Sequence, residues 1–229
     1  MSSQAADPHG RGSLEINGFL RNLAPPSERD RLVAAMAASC AERGYSSTSV
    51  EEVIARAGVP RRSFEENFAD KPACGIAATS QILAEITAAA SAAYSSRYSE
   101  WEILLRGVRT SLELLAARPS AARLACIEAR QAMPPEAYAL YASTIRMLLA
   151  MLDRIRAYAT SEAPRPPSAT RGALGGGEAL IRRELLAGRA ERLPELLPDI
   201  IYGLLVPFLD QKEALRHAEM ARELLNDGR

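Results

Sequence analysis

The stretch Thr48–Phe68, TSVEEVIARAGVPRRSFEENF, decides the fold. Thr48-Ser49-Val50-Glu51 reads as a capping box, in which a hydroxyl at the N-cap accepts from the N3 amide and Glu51 reaches back to the N-cap amide. A short amphipathic helix is predicted next, with Val50, Val53 and Ile54 on its apolar side and Glu51, Glu52 and Arg56 facing out. Ala57-Gly58 stops it, because glycine takes the left-handed conformation that a helix end needs. Val59 plugs the corner, and Pro60 suits the first turn of a new helix, where its missing N–H is no loss. On that second helix Arg61, Arg62 and Ser63 point outward and Phe64 and Phe68 inward. Helix, tight glycine turn, helix is the plan of a helix-turn-helix, whose second helix can lie in the DNA major groove. Plain helix packing produces the same pattern, so the flanks must arbitrate.

Upstream, Ser27 with Asp30 three residues on marks a helix start, and Leu32, Val33, Met36 and Cys40 recur on one face to about Arg43, where Gly44 ends the run. Residues 1–26 read as an N-terminal extension, partly disordered, with a short apolar period from Leu14 to Leu23 broken by Pro25-Pro26. Downstream, Asp70-Lys71-Pro72 opens a long helix to about Tyr94, and another begins near Ser99. Further helices carry Ala122–Met133 and the run after Pro134-Pro135. Residues 160–170, rich in Pro and Ser, read as a surface loop. A glycine-rich helix to Gly188, one starting at Pro194 and a charged last helix from Asp210 to Asn226 follow. The two leucine-rich helices after the loop carry apolar residues on more than one face, which predicts a dimer through that pair; burial of both inside one core is the alternative.

Alanine and leucine dominate a chain that is 48% hydrophobic and only 5% aromatic, and no alternating strand pattern stands out, so the fold class is all-α. The formal net charge is zero, and Ser27–Gly75 is not basic in bulk, so affinity for nucleic acid has to come from a few placed cations and backbone amides. Cys40, Cys74 and Cys126 lack metal-ligand spacing and, being odd in number, argue against a disulfide framework; they read as buried small hydrophobes in a reducing compartment. No signal-peptide core and no charge-free run of membrane-spanning length is found, so a cytoplasmic protein without a membrane partner is expected. An enzyme is disfavoured: the histidines, His9 and His217, lie near the chain ends, and Gly175-Gly176-Gly177 lacks the Gly-Lys-Ser/Thr of a phosphate loop. No cofactor or metal is expected.

The stretch from about Arg29 to Ile76 resembles the tetracycline-repressor-like (TetR) family of bacterial regulators, through Arg43-Gly44-Tyr45, Thr48, Val53-Ile54-Ala55, Ala57-Gly58-Val59, Phe68 and Lys71. The resemblance implies an N-terminal three-helix DNA-binding domain over 27–74 and a larger helical ligand-binding and dimerisation domain over 75–229. It implies a homodimer on a pseudo-palindromic double-stranded operator, most often a repressor, released by a small-molecule effector. Tyr45 and Thr48 are then placed to touch phosphate through their hydroxyls. Lys71, at a helix N-terminus, joins them, and Asn67 is a further contact. Arg61, Arg62 and Ser63 would read bases, Arg being able to grip guanine bidentately. The sequence departs from the family pattern at Glu65 and Glu66, where aromatics are usual, and at Arg62, where a small residue is usual. A helical ligand- or partner-binding dimer with a degenerate DNA-reading head is therefore the rival reading. For the effector, mostly apolar, the candidate lining residues are Trp101, Arg130, Met133, Tyr138, Tyr141 and Met147.

Overall fold

The computed structural model describes residues 25–92, 98–156 and 168–227; the apolar period at Leu14–Leu23 and most of the Pro/Ser-rich loop lie outside them. Among the described residues the chain is helical, without strands.

The head opens with α1 (Glu28–Arg43). Ser27 caps it in a reciprocal box with Asp30, and Gly44, at φ 80°, ends it. Next come α2 (Val50–Ala57) and α3 (Arg61–Asn67), separated by Gly58 in the left-handed conformation at φ 62°. Leu32, Met36 and Cys40 from α1, Val53 from α2, and Phe64 and Phe68 around α3 bury into one core. The expected helix-turn-helix is there, with its register shifted in detail. The N-cap of α2 is Ser49, whose hydroxyl accepts from the Glu52 amide at 3.1 Å, and not Thr48. Thr48 is 2% exposed and donates to the Gly44 carbonyl at 3.0 Å. Pro60 stands at the N-cap of α3 rather than in its first turn.

The long helix α4 (Lys71–Ala92) starts on Asp70, which accepts from the Ala73 amide at 2.8 Å. By length and composition it is apolar enough to cross a membrane. Its apolar residues serve the interior instead: Cys74 and Ala78 join the head core, and Ile82 and Leu83 join the body. The body continues with α5 (Glu100–Ala117), capped by a Ser99–Glu102 box, and α6 (Pro119–Arg123). A π-helical turn (Leu124–Glu128) and α7 (Ala129–Gln131) carry the same rod onward. Then come α8 (Pro135–Arg156), α9 (Ala169–Leu186), a 3-10 stretch (Ala190–Leu196), α10 (Leu197–Leu205) and α11 (Gln211–Asp227). Pro194 lies inside the 3-10 stretch, so the α-helix expected from it starts later, at Leu197.

The dimer pair expected from leucine patterning is corrected at α10. Leu197, Ile200, Ile201, Leu204 and Leu205 are all buried in the protomer's own core. Neighbours cover the helix on several sides, from α9, α11 and α5, which is why apolar residues appear around so much of it.

Candidate nucleic-acid interface and ligand cavity

α3 presents Arg61 and Arg62 to solvent, the Arg62 side chain 85% exposed. Each arginine is held by acids. Arg61 Nε donates to Glu65 at 3.0 Å and its Nη1 to Glu51 at 2.9 Å. Arg62 Nε donates to Glu66 at 2.6 Å. The pairs along α3 follow i,i+4 spacing, so the two glutamates that depart from the family pattern, Glu65 and Glu66, are partners of the two cations. The carboxyl of Glu51 is held below its ordinary value, first by its own helix-terminal amide and then by Arg61; Arg61 is held charged by Glu51 and Glu65.

Other expected contacts face inward. Ser63 is 4% exposed, because the helix turns it with Phe64 toward the core, so the expectation of an outward Ser63 is corrected. Asn67 is half-buried and donates to the Ser63 carbonyl at 2.8 Å. Tyr45 is buried, its ring 4.4 Å from Lys71 Nζ. Lys71 donates to the Thr48 carbonyl at 2.7 Å and the Ser46 carbonyl at 3.4 Å, so it closes the turn before α2. Thr48 and Tyr45 thus build that turn, while Ser46 and Ser47 are the exposed hydroxyls on it. Their exposure depends on how the turn folds, which residue type alone does not show.

In the body a cavity opens between α4, α5, the π turn, α8, α9 and α10, lined by residues such as Ile86, Val108, Cys126, Leu148, Ile181 and Leu204. It offers about 160 Å³ to the centres of water-sized molecules. One water needs only roughly 10–15 Å³ on that measure, so the space suits an organic molecule. Of the expected lining residues only Tyr141 faces it. Arg130 stands at its edge, donating to the Tyr141 hydroxyl at 3.1 Å and to Glu178 at 3.3 Å. The other four are corrected as lining residues. Trp101 packs on His217, ring centres 5.2 Å apart. Met133 packs on the head core, against Gly75. Tyr138 is 53% exposed, and Met147 is half-buried outside the cavity.

Residue type alone pointed away from Glu178 and Arg182, which both line the cavity. The signal was available: Leu174, Gly177, Glu178, Ile181 and Arg182 repeat at the spacing of one helix face. Burial pushes the Cys126 thiol up to about 12, and burial followed by Glu178 keeps the Tyr141 phenol protonated, so both are neutral at pH 7. No group of three metal-ligating side chains occurs among the described residues.

Head and body are joined at the π turn. Leu124 is fully buried in the head core, Cys126 lines the cavity, and Glu128 is buried with its Oε2 accepting from the Tyr45 amide at 2.9 Å. Widened turns of this kind shift side chains out of ordinary register and are frequent at functional sites.

Residues 32–78 match the family described as bacterial regulatory proteins, tetR family. No curated protein matches the chain at a significant level. Among solved structures, the fatty acid degradation regulator FadR from Bacillus halodurans superposes with a TM-score of 0.66, at 18% identity, over 80% of this chain and 96% of that one. A TetR family transcription regulator from Marinobacter aquaeolei VT8 gives 0.60 at 21% identity over 80% and 97%. TylP, a TetR regulator from Streptomyces fradiae, gives 0.63 at 19% identity over 87% and 96%. The head, over residues 32–78, thus matches the tetR-family DNA-binding domain, and the chain as a whole shares the helical fold of these regulators.

Proposed function

We propose that the protein is a ligand-responsive repressor, a homodimer that reads a pseudo-palindromic operator with α3 and lets go when a mostly apolar small molecule fills the cavity. The observation that carries this is the exposed Arg61–Arg62 pair at the start of the second helix of a helix-turn-helix. In this reading the head spans 27–74 and the body 75–229. Arg61 and Arg62 meet bases or phosphates, and Ser46, Ser47 and the helix-start amides near Lys71 meet the backbone. Thr48, Tyr45 and Asn67 hold the reading helices in place.

A second copy is expected on α9. Gly172, Gly175 and Gly176 are exposed within a helix, and a Cβ on any of them would meet nothing within 4 Å. Such glycines weaken a helix unless something must approach its backbone closely. Ligand binding would favour a dimer whose two heads have the wrong separation, by its difference in affinity for the two states. FadR is named for fatty acid degradation; an aliphatic effector would suit the apolar wall here too.

The test is fluorescence anisotropy with the chain's own upstream intergenic DNA across a salt series. Wild type should bind saturably, more weakly as salt rises, and Arg62→Ala should lose about tenfold or more. Binding no tighter than to random DNA, there and in a genome-wide selection, overturns the reading. That outcome would favour the second one, a helical binding dimer with a degenerate head, for which the carboxylates on both arginines speak.

A further inference from the structure

The cavity wall is mostly apolar, and its charged groups, Glu178 and Arg182 on α9, share it with Tyr141 on α8. Arg130 Nη1 donates there to the Tyr141 hydroxyl at 3.1 Å and to Glu178 Oε2 at 3.3 Å. The other carboxylate oxygen, Glu178 Oε1, is buried without a hydrogen-bond partner, and so is Arg182 Nε one turn further on. Other polar groups of the wall are occupied by their own helices. Ser111 donates to the Gly107 carbonyl at 2.8 Å and Thr144 to the Leu140 carbonyl at 3.3 Å. A buried polar atom left unmatched is unfavourable, more so in a charged group, and calls for an explanation. Here one acceptor and one donor stand unmatched on the same helix face, in residues that line the same space.

We propose that the cavity takes a single-chain amphiphile whose neutral polar end, a hydroxyl or a primary amide, donates to Glu178 Oε1 and accepts from Arg182 Nε. The inference rests on the ligand-binding reading of the cavity given above. The apolar tail lies against the leucine and isoleucine wall, where burial supplies the affinity. The polar end supplies selectivity, since a site built to hydrogen-bond a group rejects analogues that leave its own buried atoms unpaired. A carboxylate end satisfies Arg182 but sets like charge against Glu178 and leaves its oxygen unmatched. An ammonium end satisfies Glu178 but stands beside the guanidiniums of Arg130 and Arg182. An ester accepts and cannot donate.

Isothermal titration of the full-length protein without DNA tests this with one decyl chain bearing different ends. Decyl alcohol and decanamide should bind at least about tenfold more tightly than decanoate, decylamine or methyl decanoate, one matched hydrogen bond being worth that factor. Glu178→Gln keeps an acceptor and removes the charge, so decanoate should gain about tenfold while decyl alcohol changes little. Decanoate binding as well as or better than the alcohol in wild type overturns the proposal, as does equal binding of the whole series or binding of none. The wild-type series decides even where the variant folds poorly. Operator binding, measured separately, fails or succeeds independently of it.

Discussion

Thr48 and Ser49 show how one residue of register hides in a sequence. Each hydroxyl is followed three residues later by a glutamate, Glu51 or Glu52, so both pairs satisfy the capping pattern. Burial decides between them: Thr48 is needed under the turn, bonded to Gly44, and Ser49 is left to cap α2. Ser49→Ala should therefore cost about 1 kcal/mol in urea unfolding. Glu128 is the other residue whose loss should be felt. Glu128→Ala strips the buried Tyr45 amide of its acceptor and should cost about 1–3 kcal/mol. Glu184 adds a pH dependence. It is buried, and Arg189 first and Arg183 second hold its carboxyl down at about 2 from an ordinary 4.5. A lowered folded value means stability that is present above about 4.5 and lost as the pH falls toward 2. Glu184→Gln should thus lower the melting temperature at pH 7, and the gap to wild type should close on acidification to pH 3 and below.

At the scale of elements, the head was legible because local signals suffice for it. Ser27, Gly44 and Gly58 fix where helices start and stop, and one apolar stripe per helix fixes what faces in. The body was less legible. Patterning shows how much of α10 is apolar but not what covers it, and both an interface and a core would leave the same trace. The cavity's polar end escaped for a related reason. Glu178 and Arg182 sit on a helix whose glycines blur its apolar period, while residue type favours the aromatic and methionine residues elsewhere. The π turn has no sequence signature of its own, yet it bears on both domains. Leu124→Ala, inside the head core, should cost about 2–5 kcal/mol and loosen the head ahead of the rest, seen as faster amide exchange in α1 than in α10.

For the molecule as a whole, the proposed dimer turns on α9. Were its glycine face free, Gly175→Ala would raise stability by about 0.5–1 kcal/mol, because alanine is the better helix former. Were a second copy packed there, the same methyl would intrude on close-packed backbones. The expected outcome is a less stable protein whose dimer dissociates at higher concentration, read by sedimentation and by a melting temperature that varies with protein concentration.

The acids on α3 bear finally on how such a head would find its site. A regulator spends most of its time on the wrong DNA, held there by unspecific attraction to the backbone. With Arg61 and Arg62 already engaged by Glu51, Glu65 and Glu66, that attraction would be muted in the proposed reading, and each wrong encounter would be brief. Only a sequence offering better partners than the protein's own carboxylates would open the pairs. The carboxylates on the reading helix would shorten each futile stop, and a head so equipped would trade strength of grip for speed of search.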